Sequence, residues 1–251
     1  GLGSCAIGSV KSMVGHLLTA AGAAAATGVR VFSATSSQGL LYAMEMLYTV
    51  SGWRAPFVLT NVSRGLASPI TLETDHTDIM AARDSGFLQI HCATCQEVLD
   101  STLIAYRLAE DARVRLPAIV NQDGFYLSFT REPVELPEQS DMESFLPPYD
   151  PENMQFRASA PVSQAVAVLG GGPYSYFRYE THLASLKALE VYDEVSREFE
   201  QITGRAKPAV ESSPGAHHAY KISALRMTMP RNPRMKKPRV GSVANACTDT
   251  R

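Results

Sequence analysis

The sequence predicts an α/β fold: a parallel sheet covered by helices. Short apolar runs typical of strands recur at residues 30–34, 57–59, 87–93 and 116–124, and segments with helical periodicity separate them. Alternating strands and helices are typical of parallel sheets with covered faces. Small and polar residues follow these strands, and ligands bind at the carboxyl ends of strands in such sheets.

Composition excludes several classes of protein. The chain has 251 residues, of which 45% are hydrophobic and 19% charged, and its net charge is −2. These values are ordinary for a globular domain with appendages and give no overall footprint for nucleic acid or a membrane surface. No apolar run reaches the roughly 18 residues of a membrane-spanning helix. Four cysteines form no disulfide framework, so we expect a reducing cytoplasm.

The first segment, residues 1–28, is rich in Ala and Gly, and its relation to the following domain is left open. We expect an Ala-rich helix packed against a sheet. Within it, GSVKSMVGHLLTAAGAAA resembles the Lys/His motif of β-ketoacyl synthases, and Lys11 and His16 match the two active-site positions of that motif. This short match raises a condensing enzyme as a remote alternative.

The segment 30–52 predicts a strand, a polar turn and a helix over 40–52 that Gly52 ends. Ser36 and Ser37 precede the helix. They either cap it or, with Gln38, face a ligand bound at the helix N-terminus.

The central stretch, residues 57–86, places one cation directly after a strand. Arg64 lies among small residues and is followed by Thr74-Asp75-His76-Thr77-Asp78 and a short helical pattern ending at Gly86. An arginine in this position can bind a carboxylate or phosphate with its planar fork. The alternative is a surface arginine paired with Glu73 or Asp78.

A CxxC sequence, Cys92 to Cys95, lies between the third strand and a helix predicted through about residue 111. Two partly buried thiols are the simplest interpretation, and a redox dithiol or half of a metal site are the alternatives. On the following helix we expect an apolar side formed by Val98, Leu99, Thr102, Leu103 and Tyr106.

From residue 128 the chain becomes rich in proline and acid, which predicts an extended arm. GGGP at 170–173 predicts a flexible joint. An amphipathic helix over 176–204 follows, ended by Gly204, with an apolar face of Leu183, Leu186, Leu189, Val191, Tyr192 and Val195. Residues 211–251 hold eight Lys or Arg and two acids, a net charge of +6, and we expect the tail 206–251 to be disordered.

Several phrases together resemble one enzyme family. RVFSATSSQGL, NVSRGLASPI, DHTDIMAARDSGF, LPAIVNQDGFYLSFTREPVELP, FLPPY and FRYETHLASLKALEVYDEV occur in family order. Over residues 29–205 the chain resembles the α-chain, pyrimidine-binding domain of 2-oxoacid:ferredoxin oxidoreductases, nearest the pyruvate type. We therefore expect a pyrimidine-binding domain over 29–150 and its arm and long helix over 151–205.

The resemblance implies a thiamine diphosphate enzyme that oxidatively decarboxylates a 2-oxoacid, forms acyl-CoA and passes electrons to ferredoxin. It implies that Arg64 binds the substrate carboxylate and that Ser36, Ser37, Gln38, Asp75 and His76 lie near the cofactor. It also implies β-, γ- and δ-type subunits, with Mg²⁺ and iron–sulfur clusters on partner domains rather than here.

Two family features have no counterpart in the sequence. One is a YPITP-like loop, and the other is the Glu that hydrogen-bonds the aminopyrimidine ring, since residues 1–44 contain no Asp or Glu. A general acid–base group typically contributes about 10²–10⁴-fold, so we expect no activity from this chain alone. No catalytic residue is assigned. The chain is interpreted as a subunit, fragment or chimera of such an enzyme, or alternatively as a non-catalytic scaffold subunit.

Overall fold

A computed structural model describes residues 14–151, 158–159, 161 and 168–210, with only the backbone at 14–16. Its centre is a four-stranded parallel sheet with strand order β1-β2-β4-β3. The strands are β1 (Phe32–Ser36), β2 (Val58–Ser63), β3 (Leu88–His91) and β4 (Ala118–Asp123). The predicted parallel α/β fold is confirmed.

Seven α-helices and one short 3₁₀ turn, Arg83–Ser85, surround the sheet within the described ranges. The helices are α1 (Val14–Ala26), α2 (Gln38–Tyr42), α3 (Met44–Gly52), α4 (Thr77–Ala81), α5 (Cys95–Glu110), α6 (Gln139–Phe145) and α7 (Gly171–Thr203). None of these described helices combines the length and the apolar character needed to cross a bilayer.

The two central strands, β2 and β4, contribute side chains to a hydrophobic core on each face of the sheet. Successive side chains of a strand point to opposite faces. Val58 of β2 and Val120 of β4 accordingly join the core shared with α5 and α7. Leu59 and Ile119, one residue away, join the other core, which α1, α2 and α3 help to close. Both faces of these two central strands are covered, which explains why each begins as an apolar run rather than an alternating pattern.

The predicted helix over 40–52 is wrong as a single element. The structure has two helices, α2 and α3, which meet at the fully buried Ala43. Gly52 is the last residue of α3, and the C-cap is Trp53. The sequence shows helical spacing throughout, so the tertiary packing of the two helices decides the break.

The predicted apolar side of α5 is confirmed in part, because Val98, Leu103 and Tyr106 pack against the core. The fully buried apolar residues are Ile104, Ala105 and Ala109, whereas Leu99 and Thr102 are half-buried. The first half of the buried face carries polar residues, namely Glu97, Asp100 and Ser101. The prediction followed hydropathy and therefore placed the apolar side next to the face that is fully buried.

Helix α7 begins earlier than predicted. Gly170, with φ of 97°, is its N-cap and Gly171 is its first residue, so GGGP opens the helix rather than forming a joint. Gly204, with φ of 71°, ends the helix in the left-handed conformation, as predicted.

The apolar face of α7 is confirmed in part. Val191, Tyr192 and Val195 are buried in the core that α7 shares with α5 and the sheet, together with two alanines and Phe199. Leu183, Leu186 and Leu189 are 40%, 42% and 38% exposed, so their predicted burial is wrong. Ala184 and Ala188 occupy the contact instead, because small residues let this helix approach its neighbours closely.

After α7 the chain returns to α5 and is held there by charge. Asp100 of α5 is fully buried and accepts hydrogen bonds from Nε and Nη2 of Arg205 at 3.0 and 2.9 Å. Nζ of Lys207 lies 3.6 Å from the same carboxylate. This paired charge fixes the segment that follows the helix.

Some predictions fall outside the described residues. Lys11, the side chain of His16 and residues 211–251 of the predicted tail are among them. The described part of the first segment is helical, and Leu18, Ala21 and Ala25 of α1 join the core beside α3, as expected of an Ala-rich packed helix.

Candidate functional site

Polar side chains gather where the parallel strands end. The register pairs Asn61 with Asn121 and Ser63 with Asp123 across β2 and β4. Ser36 ends β1 and His91 ends β3. The carboxyl edge of the sheet is the usual ligand-binding place in this architecture, so these residues define the candidate site.

A buried carboxylate organises the middle of this edge. Asp78 is fully buried and accepts hydrogen bonds from the backbone N–H of Ser37 at 3.0 Å and from Nδ2 of Asn61 at 3.2 Å. The hydroxyl of Ser63 lies 2.8 Å from Oδ1 of Asp78. A buried charge is tolerated when hydrogen bonds satisfy it. Asp78 thus joins the ends of β1 and β2 to α4 and holds the site rigid.

Arg64 follows β2 and lies at the surface of this network. Its Nε donates to Oγ of Ser36 at 2.9 Å, and its Nη1 donates to the carbonyl oxygen of Thr71 at 3.2 Å. Within the described residues it forms no ion pair, so the alternative pairing with Glu73 or Asp78 is not observed, and Nη2 has no hydrogen bond. The half-buried guanidinium keeps donors for an anionic ligand.

Ser36 and Ser37 do not cap the following helix, so that interpretation is wrong. The hydroxyl of Ser36 donates to the carbonyl of Val62 at 2.7 Å, and that of Ser37 donates to the carbonyl of Gly65 at 3.0 Å. Both hydroxyls instead tie β1 to the chain around Arg64. Ser37 is the N-cap residue by position, but its φ of 49° and ψ of −115° lie outside the extended region that a capping side chain needs, and its hydroxyl makes no cap hydrogen bond.

Gln38 opens α2 beside these serines. Its amide nitrogen Nε2 is buried and has no hydrogen-bond partner within the described residues. A buried unpartnered donor is costly, and each such group in a folded protein calls for an explanation. Gln38 therefore offers an unused donor close to the end of β1.

A histidine and an aspartate form a further pair at this edge, where β4 ends. Nε2 of His76 lies 2.8 Å from Oδ1 of Asp123, and the rings of His76 and His91 are 5.9 Å apart. The hydroxyl of Thr77 donates to the exposed carboxylate of Asp75 and is the largest cause of its lowered pKa. The backbone N–H of Thr77, which donates at 2.6 Å, lowers this pKa as well. Asp75 thus shapes the start of α4, whereas His76 faces the edge of the sheet.

The backbone at Gly124 packs closely against the backbone at Ser63 and Arg64, and this contact brings the charged side chains of the edge together. A Cβ atom on Gly124 would lie 2.5 Å from the carbonyl oxygen of Ser63 and 3.2 Å from Cβ of Arg64. The hydroxyl of Thr74 donates to the carbonyl of Gly124 at 2.7 Å. Only glycine fits this crossing, which places the segment carrying His76 and Asp123 directly against the segment carrying Arg64.

His91 is held neutral in the folded protein. Its pKa is lowered to about 4; burial is the largest cause, the nearby His76 also lowers the pKa, and Asp123 partly offsets both by raising it. Its Nδ1 lies 3.3 Å from Nδ2 of Asn121, which fits an acceptor nitrogen of a neutral ring.

The pKa of His91 predicts a pH dependence of stability. Because the folded pKa of about 4 lies below the ordinary value of 6.5, the unfolded chain binds more protons between these values. We expect the free energy of unfolding to fall by about 3 kcal/mol from this group as the pH drops through that window. Urea unfolding from pH 7.5 to pH 4.5 measures it.

His91→Gln should remove this contribution and give a shallower slope below pH 6.5. His182→Gln on α7 is the control and should keep the parent slope. Identical slopes for His91→Gln and the parent would contradict a neutral buried His91.

Of the two described cysteines, Cys92 is buried and Cys95 is half-buried. Burial and the neighbouring Glu132 raise the pKa of Cys95, which disfavours the reactive thiolate. Within the described part of the chain, no three His, Cys, Asp or Glu side chains come together as metal ligands. These observations favour the interpretation of Cys92 and Cys95 as structural thiols.

Exposed apolar side chains surround the candidate site. Ile70 and Leu72, which follow Arg64, are 73% and 66% exposed. Phe125 and Phe129, which follow β4, stack with ring centres 5.4 Å apart, and Phe129 is 75% exposed. Apolar rims of this kind mark surfaces that bind another protein or a ligand.

The sequence interpretation missed several members of this edge as site residues, notably Asn61, His91, Asn121 and Asp123. One signal was available: Asn61 and Asn121 interrupt otherwise apolar strands, and strands buried on both faces carry polar residues only where partners exist. The hydrogen bonds of Asp78 had no sequence signal, because its partners, Ser37 after β1 and Asn61 and Ser63 of β2, come from two segments distant in the sequence.

Comparison with known proteins identifies the family of this chain. The family described as "Pyruvate flavodoxin/ferredoxin oxidoreductase, thiamine diP-bdg" matches residues 6–201. The chain belongs to this oxidoreductase family. The match includes residues 8–25, the segment with the short β-ketoacyl synthase resemblance, and the described carboxyl edge lies wholly within it.

Curated relatives agree with the family. The chain is 41% identical over 188 residues to pyruvate synthase subunit PorA of Methanothermobacter thermautotrophicus, covering 75% of this chain and 49% of the relative. It is 38% identical over 182 residues to ketoisovalerate oxidoreductase subunit VorA of Pyrococcus horikoshii, covering 72% and 45%. The chain thus spans about half the length of these relatives.

A solved structure agrees with the fold. The 2-oxoglutarate:ferredoxin oxidoreductase from Magnetococcus marinus matches with a TM-score of 0.50 and 14% sequence identity, covering 81% of this chain and 38% of that one. At this identity the likeness concerns the fold alone. The resemblance to the α-chain, pyrimidine-binding domain of these enzymes is confirmed.

Proposed function

We propose that this chain supplies the 2-oxoacid-binding edge of a 2-oxoacid:ferredoxin oxidoreductase, with pyruvate as the favoured substrate. The observation that carries the proposal is Arg64, whose guanidinium lies at the carboxyl end of β2 with donors to spare. A planar fork of donors matches a carboxylate bidentately. The assembled enzyme would convert the 2-oxoacid and coenzyme A into acyl-CoA and CO₂.

The described edge suits the pyrimidine half of thiamine diphosphate. An aminopyrimidine ring carries nitrogen acceptors, and the buried, unpartnered Nε2–H of Gln38 is a donor of the matching kind. Thiamine diphosphate, when bound, supplies the carbon nucleophile and the electron sink for decarboxylation. In this proposal Gln38 orients the ring and Arg64 binds the substrate carboxylate, while the hydroxyl of Ser36 steadies the arginine.

The proposal assigns the remaining parts to partner chains. The apolar rim formed by Ile70, Leu72, Phe125 and Phe129 suits burial against another protein. We propose β-, γ- and δ-type subunits that carry Mg²⁺, the cofactor diphosphate and iron–sulfur clusters, with ferredoxin as the electron acceptor. Four cysteines in 251 residues form no disulfide framework, which suits a reducing compartment, and we propose the cytoplasm.

A non-catalytic scaffold is the second candidate, and one observation favours it. Residues 1–44 contain no Asp or Glu, so no carboxyl from that stretch can serve the pyrimidine ring as general acid or base. In that case the chain would complete the complex without supporting turnover.

An assay of the assembled complex separates the two candidates. This chain is co-expressed with candidate partner subunits, purified as a complex, and supplied with coenzyme A, thiamine diphosphate and Mg²⁺. Reduction of a viologen dye is then followed with pyruvate, 2-oxoisovalerate and 2-oxoglutarate. We expect pyruvate to give the highest kcat/KM. A stable complex that reduces no dye with any of the three would contradict the catalytic proposal and support the scaffold.

A further inference from the structure

The pair formed by His76 and Asp123 has no role in binding the carboxylate or the cofactor as described so far. Nε2 of His76 lies 2.8 Å from Oδ1 of Asp123, and the side chains are 45% and 34% exposed. A carboxylate that accepts from one ring nitrogen fixes the tautomer and leaves the other nitrogen to act as base or acid. Within the described residues nothing hydrogen-bonds to Nδ1 of His76.

The pair lies next to the proposed substrate site. Asp123 precedes Gly124, whose backbone is packed against Ser63 and Arg64. In addition, the backbone N–H of Gly65 donates to the carbonyl oxygen of Glu73 at 3.1 Å. This hydrogen bond keeps the segment that leads to His76 next to the segment that carries Arg64. The imidazole and the guanidinium are therefore carried by segments in direct contact.

Three charged or titratable groups surround His76. Asp123 comes from β4, His91 from β3, and Asp75 from the same loop as His76. Asp75 is engaged with the N–H of Thr77, and His91 faces Asn121. Asp123 is thus the carboxylate that pairs with the imidazole, and the neutral His91 does not compete for it.

We propose that His76, oriented by Asp123, is a proton-transfer residue for the 2-oxo group of a substrate whose carboxylate Arg64 binds. The protonated imidazole gives its Nδ1 proton to the oxo oxygen as the carbonyl carbon is attacked. The same nitrogen takes that proton back when the carbonyl is formed again in the acyl product. The imidazole therefore ends the cycle with the protons it began with. This inference rests on the proposed function.

The first test is kinetic and uses the assembled complex. His76→Gln should lower kcat/KM for pyruvate by about 10²–10⁴-fold, as expected for a general acid–base group, and should leave the dissociation constant of oxamate, a non-reacting 2-oxoacid analogue, unchanged. His182→Gln on α7 is the matched control and should behave as the parent. The pH profile of kcat/KM should lose one titrating limb in His76→Gln and keep it in Arg64→Ala.

The second test reads the tautomer without turnover. In the full chain carrying ¹⁵N-labelled histidine, we expect the His76 ring to show Nε2–H in the parent and a mixture of tautomers in Asp123→Asn. An unchanged ring spectrum in Asp123→Asn would overturn the orienting role of Asp123.

Three kinetic outcomes are distinguishable. Unchanged turnover in His76→Gln together with a damaged Arg64→Ala would overturn this inference and leave the proposed function standing. Unchanged turnover in both variants would overturn both. A loss of oxamate affinity in His76→Gln with an intact pH profile would overturn proton transfer in favour of simple binding.

Discussion

Replacing Arg64 by alanine should lower kcat/KM for the 2-oxoacid by about 100-fold, since a charge-assisted hydrogen bond contributes about 1.5–3 kcal/mol. The loss should fall mainly on KM, because the guanidinium binds a carboxylate that does not depend on the later steps. Affinity for thiamine diphosphate should stay unchanged. Arg64→Lys should recover only part of the loss, because an ammonium lacks the planar fork. Steady-state kinetics of the assembled complex measure these effects.

Arg83→Ala is the matched control for this prediction. Arg83 is 62% exposed and lies 3.5 Å from the exposed Asp84, so its removal changes charge without touching the carboxyl edge. Because Arg64 also donates to Ser36, urea unfolding of Arg64→Ala checks that the fold survives. Equal kinetics for Arg64→Ala and the parent would contradict the substrate role of Arg64.

Replacing Asp100 by alanine should have the largest effect on stability. The change removes the fully buried carboxylate that lies 2.9 Å from Arg205 and 3.6 Å from Lys207. The two largely buried cations then keep only the longer contacts to Glu135 at 3.5 Å and to Glu97 at 3.9 Å. Breaking a buried ion pair from one side typically costs about 3–5 kcal/mol. Urea unfolding should show a lower midpoint with an unchanged slope, because the folded state still buries the same surface.

The exposed pair of Lys187 and Glu190 on α7 supplies the control for Asp100. Glu190 is 67% exposed, and surface pairs contribute about 0–1 kcal/mol, so Glu190→Ala should leave the midpoint almost unchanged. Equal midpoints for Asp100→Ala and Glu190→Ala would show that the segment after α7 is not held by this buried charge.

Local pattern was enough to predict the sheet and the place of Arg64. The strands are apolar runs bounded by polar residues, and a residue just beyond such a run must lie at the carboxyl edge of a parallel sheet. Gly204 was predictable as a helix end for a similarly local reason, because its left-handed backbone suits glycine.

The errors arose where distant residues decide the outcome. Ser37 has the type of an N-cap, yet its N–H donates to Asp78 and its hydroxyl donates to Gly65. Leu183 fits an apolar stripe, yet Ala184 makes the contact because α7 lies close to its neighbours. Hydropathy records neither the partner of a hydroxyl nor the distance between packed elements.

The central claim concerns the edge formed by Arg64, Gln38 and His76 in an assembled 2-oxoacid:ferredoxin oxidoreductase. The most direct test is release of labelled CO₂ from pyruvate carrying ¹⁴C at its carboxylate, measured on the purified complex with thiamine diphosphate and coenzyme A. We predict release that depends on both compounds and drops sharply when the complex carries Arg64→Ala. Release of no label by a correctly assembled complex, or equal release by the Arg64→Ala complex, would contradict the claim.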